Sequence, residues 1–171
     1  MPASHARASG GLLLRQPGPG DLGWIVQRHG LLYAQEHGWG QGFEAIVASV
    51  VAEFGKSHDP ARERCWIAEL GGLPAGSIML VGKSEDVAQL RLLLVEPEAR
   101  GHGVGRRLTE TCLAFARETG YTSVVLWTNS ALTGARRIYE AAGFRLLHRE
   151  PETKFGKGLF SETWRLDFQP V

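Results

Sequence analysis

Apolar residues along this chain fall into short runs bounded by glycine and proline, and into stretches with three-to-four spacing. Leu12 to Arg15 is a brief apolar run that predicts a first strand. Pro17, Gly18, Pro19 and Gly20 break it, and Asp21 stands where a helix cap belongs. From Leu22 the residues Trp24, Ile25, Leu31, Leu32 and Tyr33 recur at helical spacing until Gly38-Trp39-Gly40 interrupts them. Phe43, Ile46, Val47, Val50, Val51 and Phe54 mark a second amphipathic helix, ended by His58-Asp59-Pro60. Cys65 to Leu70 and Ala75 to Val81 read as strands joined by a hairpin loop at Gly71 to Pro74, and Val87 to Val95 as a longer third. A helix follows to about Glu118, closed by Gly120. Tyr121 to Thr128 is strand, Thr133 to Ala142 is helix, and Phe144 to Arg149 and Thr163 to Phe168 are two late strands.

The order β-α-α-β-β-β-α-β-α-β-β argues one mixed α/β domain over residues 11–171, without repeat or linker. Residues 1–10, MPASHARASG, lack an apolar signal core and read as a disordered lead-in. At 171 residues the chain is long enough to bury a real core, and its net charge of +1 offers no basic field for nucleic acid. Its hydrophobic stretches are too short to span a membrane. Cys65 and Cys112 have no C-x-x-C spacing and no partnered histidine, so they read as small buried hydrophobes in a cytoplasmic protein. The six histidines show no ligand spacing, and no metal is expected.

The chemistry concentrates in Leu90 to Arg107, LRLLLVEPEARGHGVGRR. An apolar strand feeds Gly101, Gly103 and Gly105, and a helical pattern from Leu108 follows at once. Such a turn gathers backbone N–H groups and the positive end of a helix dipole on one spot, which suits phosphate. A Rossmann fingerprint starting at Gly101 needs glycine at 106, where Arg106 stands, and no Lys-Ser or Lys-Thr completes a Walker loop. What remains is R-x-x-G-x-G: Arg100, Gly103 and Gly105.

That motif resembles the pyrophosphate loop of the GCN5-related N-acetyltransferases, the GNAT family, whose ligand is acetyl-coenzyme A. A second block agrees: Ala135-Arg-Arg-Ile-Tyr139-Glu-Ala-Ala-Gly143-Phe144 resembles the family's A-x-x-x-Y-x-x-x-G-F. Several segments, among them PGDLGWIVQRHGLLYAQEHGW and LWTNSALTGARRIYEAAGF, look like the acetyltransferase half of bacterial MarR–GNAT fusion proteins. About ten residues precede the first strand, so the DNA-binding half of such fusions is not expected here. The resemblance implies a mixed, mostly antiparallel sheet of six to seven strands with about four helices, splayed after the fourth strand.

It also implies roles. The pantetheine arm is expected along the backbone of Leu93, Leu94 and Val95, with the thioester carbonyl on a backbone N–H there. The pyrophosphate is expected on Gly101, His102, Gly103, Val104, Gly105 and Arg106, where a Cβ on the glycines would obstruct close approach and positive φ. The side chains of Arg100 and Arg106 either pair with phosphates or stay solvated. Asn129 is a candidate for bonding the pantetheine amides, and Tyr139 for protonating the departing thiolate. Leu132 and Trp127 occupy positions where many relatives carry asparagine and some carry a glutamate base, so the base stays unassigned among Glu36, Gln89 and His29. Trp24, Tyr33, Trp39 and Trp127 are either acceptor-pocket residues or core and rim aromatics. The activity implied is acetyl transfer from acetyl-CoA to a primary amine in a ternary complex, in a monomer or a homodimer paired through the last strands. The second reading is a CoA-binding regulatory module without turnover.

Overall fold

The computed structural model describes residues 11–171; the expectation for residues 1–10 lies outside the described residues. The chain runs β1 (Leu12–Arg15), α1 (Asp21–His37), α2 (Gln41–Ser57), β2 (Arg64–Leu70), β3 (Leu73–Gly82), β4 (Val87–Val95), α3 (Val104–Glu118), β5 (Ser123–Asn129), α4 (Thr133–Ala142), β6 (Arg145–Pro151) and β7 (Phe160–Asp167). A 3₁₀ turn at Pro97–Ala99 separates β4 from α3. One seven-stranded sheet is ordered β1-β2-β3-β4-β5-β7-β6, and only the β4–β5 pair is parallel.

Strand alternation builds two cores. Cys65, Ile67 and Met79 face α1 and α2, where Ile25, Phe43, Val47, Val51 and Phe54 cover them. Trp66, Ala68, Ile78, Leu80 and Leu90 face the other way, onto Val104, Leu108, Cys112 and Phe115 of α3. Both thiols are buried in these cores, and burial pushes the Cys65 thiol up to about 12, which suits inert packing rather than reactivity.

Differences from the sequence reading sit at element ends. Gly71 and Gly72, both at positive φ, close the hairpin as a two-residue turn, so β3 begins at Leu73 rather than Ala75. The last hairpin is longer than its apolar pattern, because β6 is an edge strand whose residues are all exposed and carry little hydrophobic signal. Helix α3 starts at Val104, so Gly105 belongs to its first turn and not to a positive-φ loop. Steric room explains that glycine: a Cβ there would lie 2.6 Å from Ile138 Cδ1 and 3.3 Å from Val95 Cγ2. Gly105 is small so that α4 can lie against α3.

Candidate functional site

A bulge creates the site. On β3, Met79 pairs with Arg91 and Ser77 with Leu94, so Leu92 and Leu93 together oppose Ile78. Leu92 takes a left-handed φ of 55°, unusual for a residue with a Cβ, and Ser77 Oγ donates to its carbonyl at 3.1 Å. The bulge turns β4 away from β5: their parallel pairing stops at Leu90 opposite Leu126, while β5 stays paired to β7 as far as Asn129. The sheet therefore opens into a V, and Leu93 to Val95 present one backbone edge that β5 does not use.

Beside that edge lies the glycine turn. Gly101 and Gly103 have φ values of 81° and 74°, and Gly103 is the N-cap of α3 with no side chain capping it. From Gly101 to Arg106 no backbone N–H has a protein hydrogen-bond partner among the described residues. A run of unspent donors at a helix N-terminus is an anion site. The N-terminus of α4, uncapped by any side chain, faces it from across the opening with Thr133, Gly134 and Ala135.

Between these walls runs a cleft of about 690 Å³, the size of a cofactor site. Leu93, Leu94, Val95, Arg100, Gly101, Gly103, Val104, Gly105 and Arg106 line it, which brings most of the expected cofactor residues together. Helix α1 supplies the roof with Leu32, Tyr33, Glu36 and His37. Arg100 Nη2 meets Glu36 Oε1 at 2.7 Å across the opening, and Arg28 clamps Glu96 at 2.6 and 2.8 Å. Two ion pairs thus fasten α1 to the loop that carries the donors.

Three expected site residues lie elsewhere. His102 does not line the cleft; its Nδ1 sits 3.2 Å from the carbonyl oxygens of Ala99 and Arg100. Asn129 is fully buried, its Oδ1 accepting from the Ala131 N–H at 2.9 Å and its Nδ2 donating to Glu152 at 3.3 Å. Its amide shapes the β5–α4 turn and does not line the cleft. Tyr139 does not line the cleft; it is 5% exposed, with its ring edge-on to Phe144 and no hydrogen bond to its hydroxyl among the described residues. Burial raises its pKa, and neighbouring Tyr33 adds to the effect, so the hydroxyl stays protonated.

Among the base candidates, only Glu36 lines the cleft. His29 is buried with Nδ1 2.7 Å from the Ile25 carbonyl, and burial pushes its pKa down to about 4. Of the aromatics, Tyr33 lines the cleft; Trp39 is core, packed against Tyr33, Phe43 and Phe155. Trp127 is 43% exposed on the opposite face, its Nε1 donating to Ser161 Oγ. The sequence reading missed Leu132 to Gly134 and Arg137, whose only signal was adjacency to the Tyr139 block. Among the described residues no group of three or more His, Cys, Asp or Glu sides can hold a metal ion, and no helix is long and apolar enough to cross a membrane.

A splayed sheet with an uncapped, glycine-fronted helix at the split defines an α/β fold with an anion-binding mouth to an open cleft. Residues 31–144 match the model of the acetyltransferase (GNAT) family, and the chain belongs to that family. Its relatives include N-acetyltransferase 8F1 of Rattus norvegicus, 30% identical over 133 residues that make up 75% of this chain and 57% of that protein. Another is N-acetylaspartate synthetase of Xenopus tropicalis, 36% identical over 81 residues, 47% of this chain and 30% of that protein. The chain spans about half the length of the curated relatives it matches. The fold is shared with a GCN5-related N-acetyltransferase from Kribbella flavida at TM-score 0.75 and 19% identity, covering 92% of this chain and 98% of that one. It is shared equally with yncA from Salmonella typhimurium, solved with its cofactor acetyl-CoA, at TM-score 0.73 and 17% identity over 94% and 96% of the two chains.

Proposed function

We propose that this chain moves the acetyl group of acetyl-CoA to a primary amine by direct attack in a ternary complex. The observation that carries the proposal is the unpartnered N–H run from Gly101 to Arg106, set at the mouth of a cleft walled by the free edge of β4. A pyrophosphate calls for such a donor run, and an extended arm with amide groups calls for a strand edge. Both features border one cleft here.

In the reaction the amine nitrogen bonds to the carbonyl carbon as the carbon–sulfur bond breaks; the amine loses a proton and the departing sulfur gains one. The β4 edge at Leu93 to Val95 offers a backbone donor to the carbonyl oxygen, worth several kcal/mol where water is excluded. Tyr139 does not itself line the cleft, but its place in the A-x-x-x-Y-x-x-x-G-F block and its protonated state support it as the donor to the departing sulfur. Glu36 is the carboxylate placed to relay the amine's proton through water, its charge partly balanced by Arg100. The N-acetyltransferase names of the relatives support an amine as acceptor. A finer kinship with the acetyltransferase half of MarR–GNAT fusions rests on the quoted segments alone. A cytoplasmic setting is supported by two unpaired cysteines, and a homodimer through the exposed β6 edge is read out by sedimentation.

Thiol release from acetyl-CoA with a panel of amines tests the whole. Wild type is expected to turn over, and Tyr139→Phe to lower kcat about 10²-fold with acetyl-CoA affinity unchanged. The second reading, a CoA-binding module without turnover, draws on Trp127 standing where some relatives carry a glutamate base. Tight acetyl-CoA binding with no active acceptor would decide for it.

A further inference from the structure

Opposed residues in a sheet share a face, so the register identifies a second group of side chains beside the split. Met79 packs under α1 and α2, and Arg91 stands opposite it; Val81 faces Gln89, which stands beside Val125. Leu126 and Trp164 point into the α3 core, which returns Trp127 and its partner Thr163 to the face of Arg91. Trp127 follows Leu126, and Arg91 follows Leu90, where the β4–β5 pairing ends. Arg91 and Trp127 therefore flank the split on the face away from α3.

Other strand cations that the register places on this face are paired among the described residues. Arg165 pairs with Asp167 at 2.8 Å, Arg145 with the same carboxylate at 3.6 Å, and His148 with Glu150 at 3.5 Å. Arg91 has neither an ion pair nor a side-chain hydrogen bond among the described residues, though it is partly buried. Desolvation lowers its pKa, and no acidic neighbour offsets that cost. A partly desolvated guanidinium without a counter-charge, still reachable from solvent, is suited to an anionic ligand. The bulge at Leu92 holds Arg91 in place at the split, and the half-exposed indole of Trp127 offers an apolar platform on the other side.

We infer that the acceptor is an amine bearing a carboxylate, of the α-amino acid type, with its carboxylate on Arg91 and its side group against Trp127; this rests on the acetyl-transfer reading above. Arg91 and Leu94 oppose Met79 and Ser77, two strand steps apart on β3, so Arg91 lies roughly 7 Å along the sheet from Leu94, a span that a short amino acid and the arginine side chain bridge. An anionic anchor there leaves the amine directed at the free β4 edge.

The test pairs amino acids with their carboxamides as acceptors for the full chain, with acetyl-CoA affinity measured in parallel by calorimetry. The carboxamide has the lower amine pKa and is the better nucleophile at neutral pH, so a preference for the acid must come from the protein. The acid is expected to win by about tenfold or more in kcat/KM. Arg91→Gln should erase that ratio through KM, with acetyl-CoA affinity unchanged, and Arg91→Lys should keep part of it. Equal rates for the two acceptors in wild type, or a ratio that survives in Arg91→Gln, overturns the inference. Should the Gln variant not fold, the wild-type ratio and the Lys variant decide. Acetyl-CoA binding with turnover of carboxylate-free amines alone sinks only this inference, whereas failure to bind acetyl-CoA sinks the acetyl-transfer reading with it.

Discussion

Single residues carry the conditions on which the cleft depends. Gly103 caps α3 at a φ of 74°, and a Cβ there would meet nothing nearer than Arg106 Nη2 at 3.7 Å. Substitution therefore costs about 1–2 kcal/mol of backbone strain without a clash. Gly103→Glu is expected to stay folded, by circular dichroism, and to lose acetyl-CoA binding, because its carboxylate repels a phosphate at the same donors. Unchanged affinity would place the anion elsewhere. His29 sets a different dependence. Its folded pKa of about 4 lies below the ordinary 6.5, so between those values the unfolded chain binds a proton that the native state refuses. Stability from this residue is full above pH 6.5 and falls as pH drops toward 4, by about 1.4 kcal/mol per pH unit within that window. Urea midpoints should thus fall more steeply from pH 7 to pH 5 in wild type than in His29→Leu; equal slopes would refute this.

At the scale of elements, α4 is positioned by a buried charge. Glu162 on β7 is fully buried, 3.1 Å from Arg136 Nε of α4 and 3.6 Å from Arg149 Nε of β6, and accepts from Trp164 Nε1 at 3.0 Å. Both arginines keep some exposure, so water compensates them when the acid is lost. Glu162→Ala is expected to cost about 2 kcal/mol in urea unfolding, less than for a fully enclosed pair. A loss below about 0.5 kcal/mol would mean that α4 is held by Ile138 over Gly105 instead.

For the whole molecule, two cores of unequal reach predict unequal opening. Strands β2 and β3 are covered on both faces, whereas β6 forms an edge with every residue exposed. Native-state amide exchange should be slowest in β3 and faster in β6 by orders of magnitude. Similar protection in both would indicate that another surface covers β6.

Much of this was legible in the chain itself. Periodicity located every helix and strand, since a run such as Phe43 to Phe54 can bury its apolar face in one way only. The spacing of Arg100, Gly103 and Gly105 marked the donor loop, because backbone N–H groups need only the local turn to converge. Tertiary structure decided the rest. Gly105 was read as a loop glycine, and only the approach of Ile138 shows why it lacks a Cβ. Asn129 has the chemistry of a ligand residue, yet its amide is used within the β5–α4 turn. Arg91 is one polar residue in an apolar strand, and its lack of a partner among the described residues depends on which side chains three other strands bring to its face. Local sequence fixes backbone conformation and helix ends over a few residues, whereas burial and charge balance are sums over neighbours distant in the chain. The stretch Leu90 to Arg107 thus announced only a candidate anion site, and the fold determined what faces it.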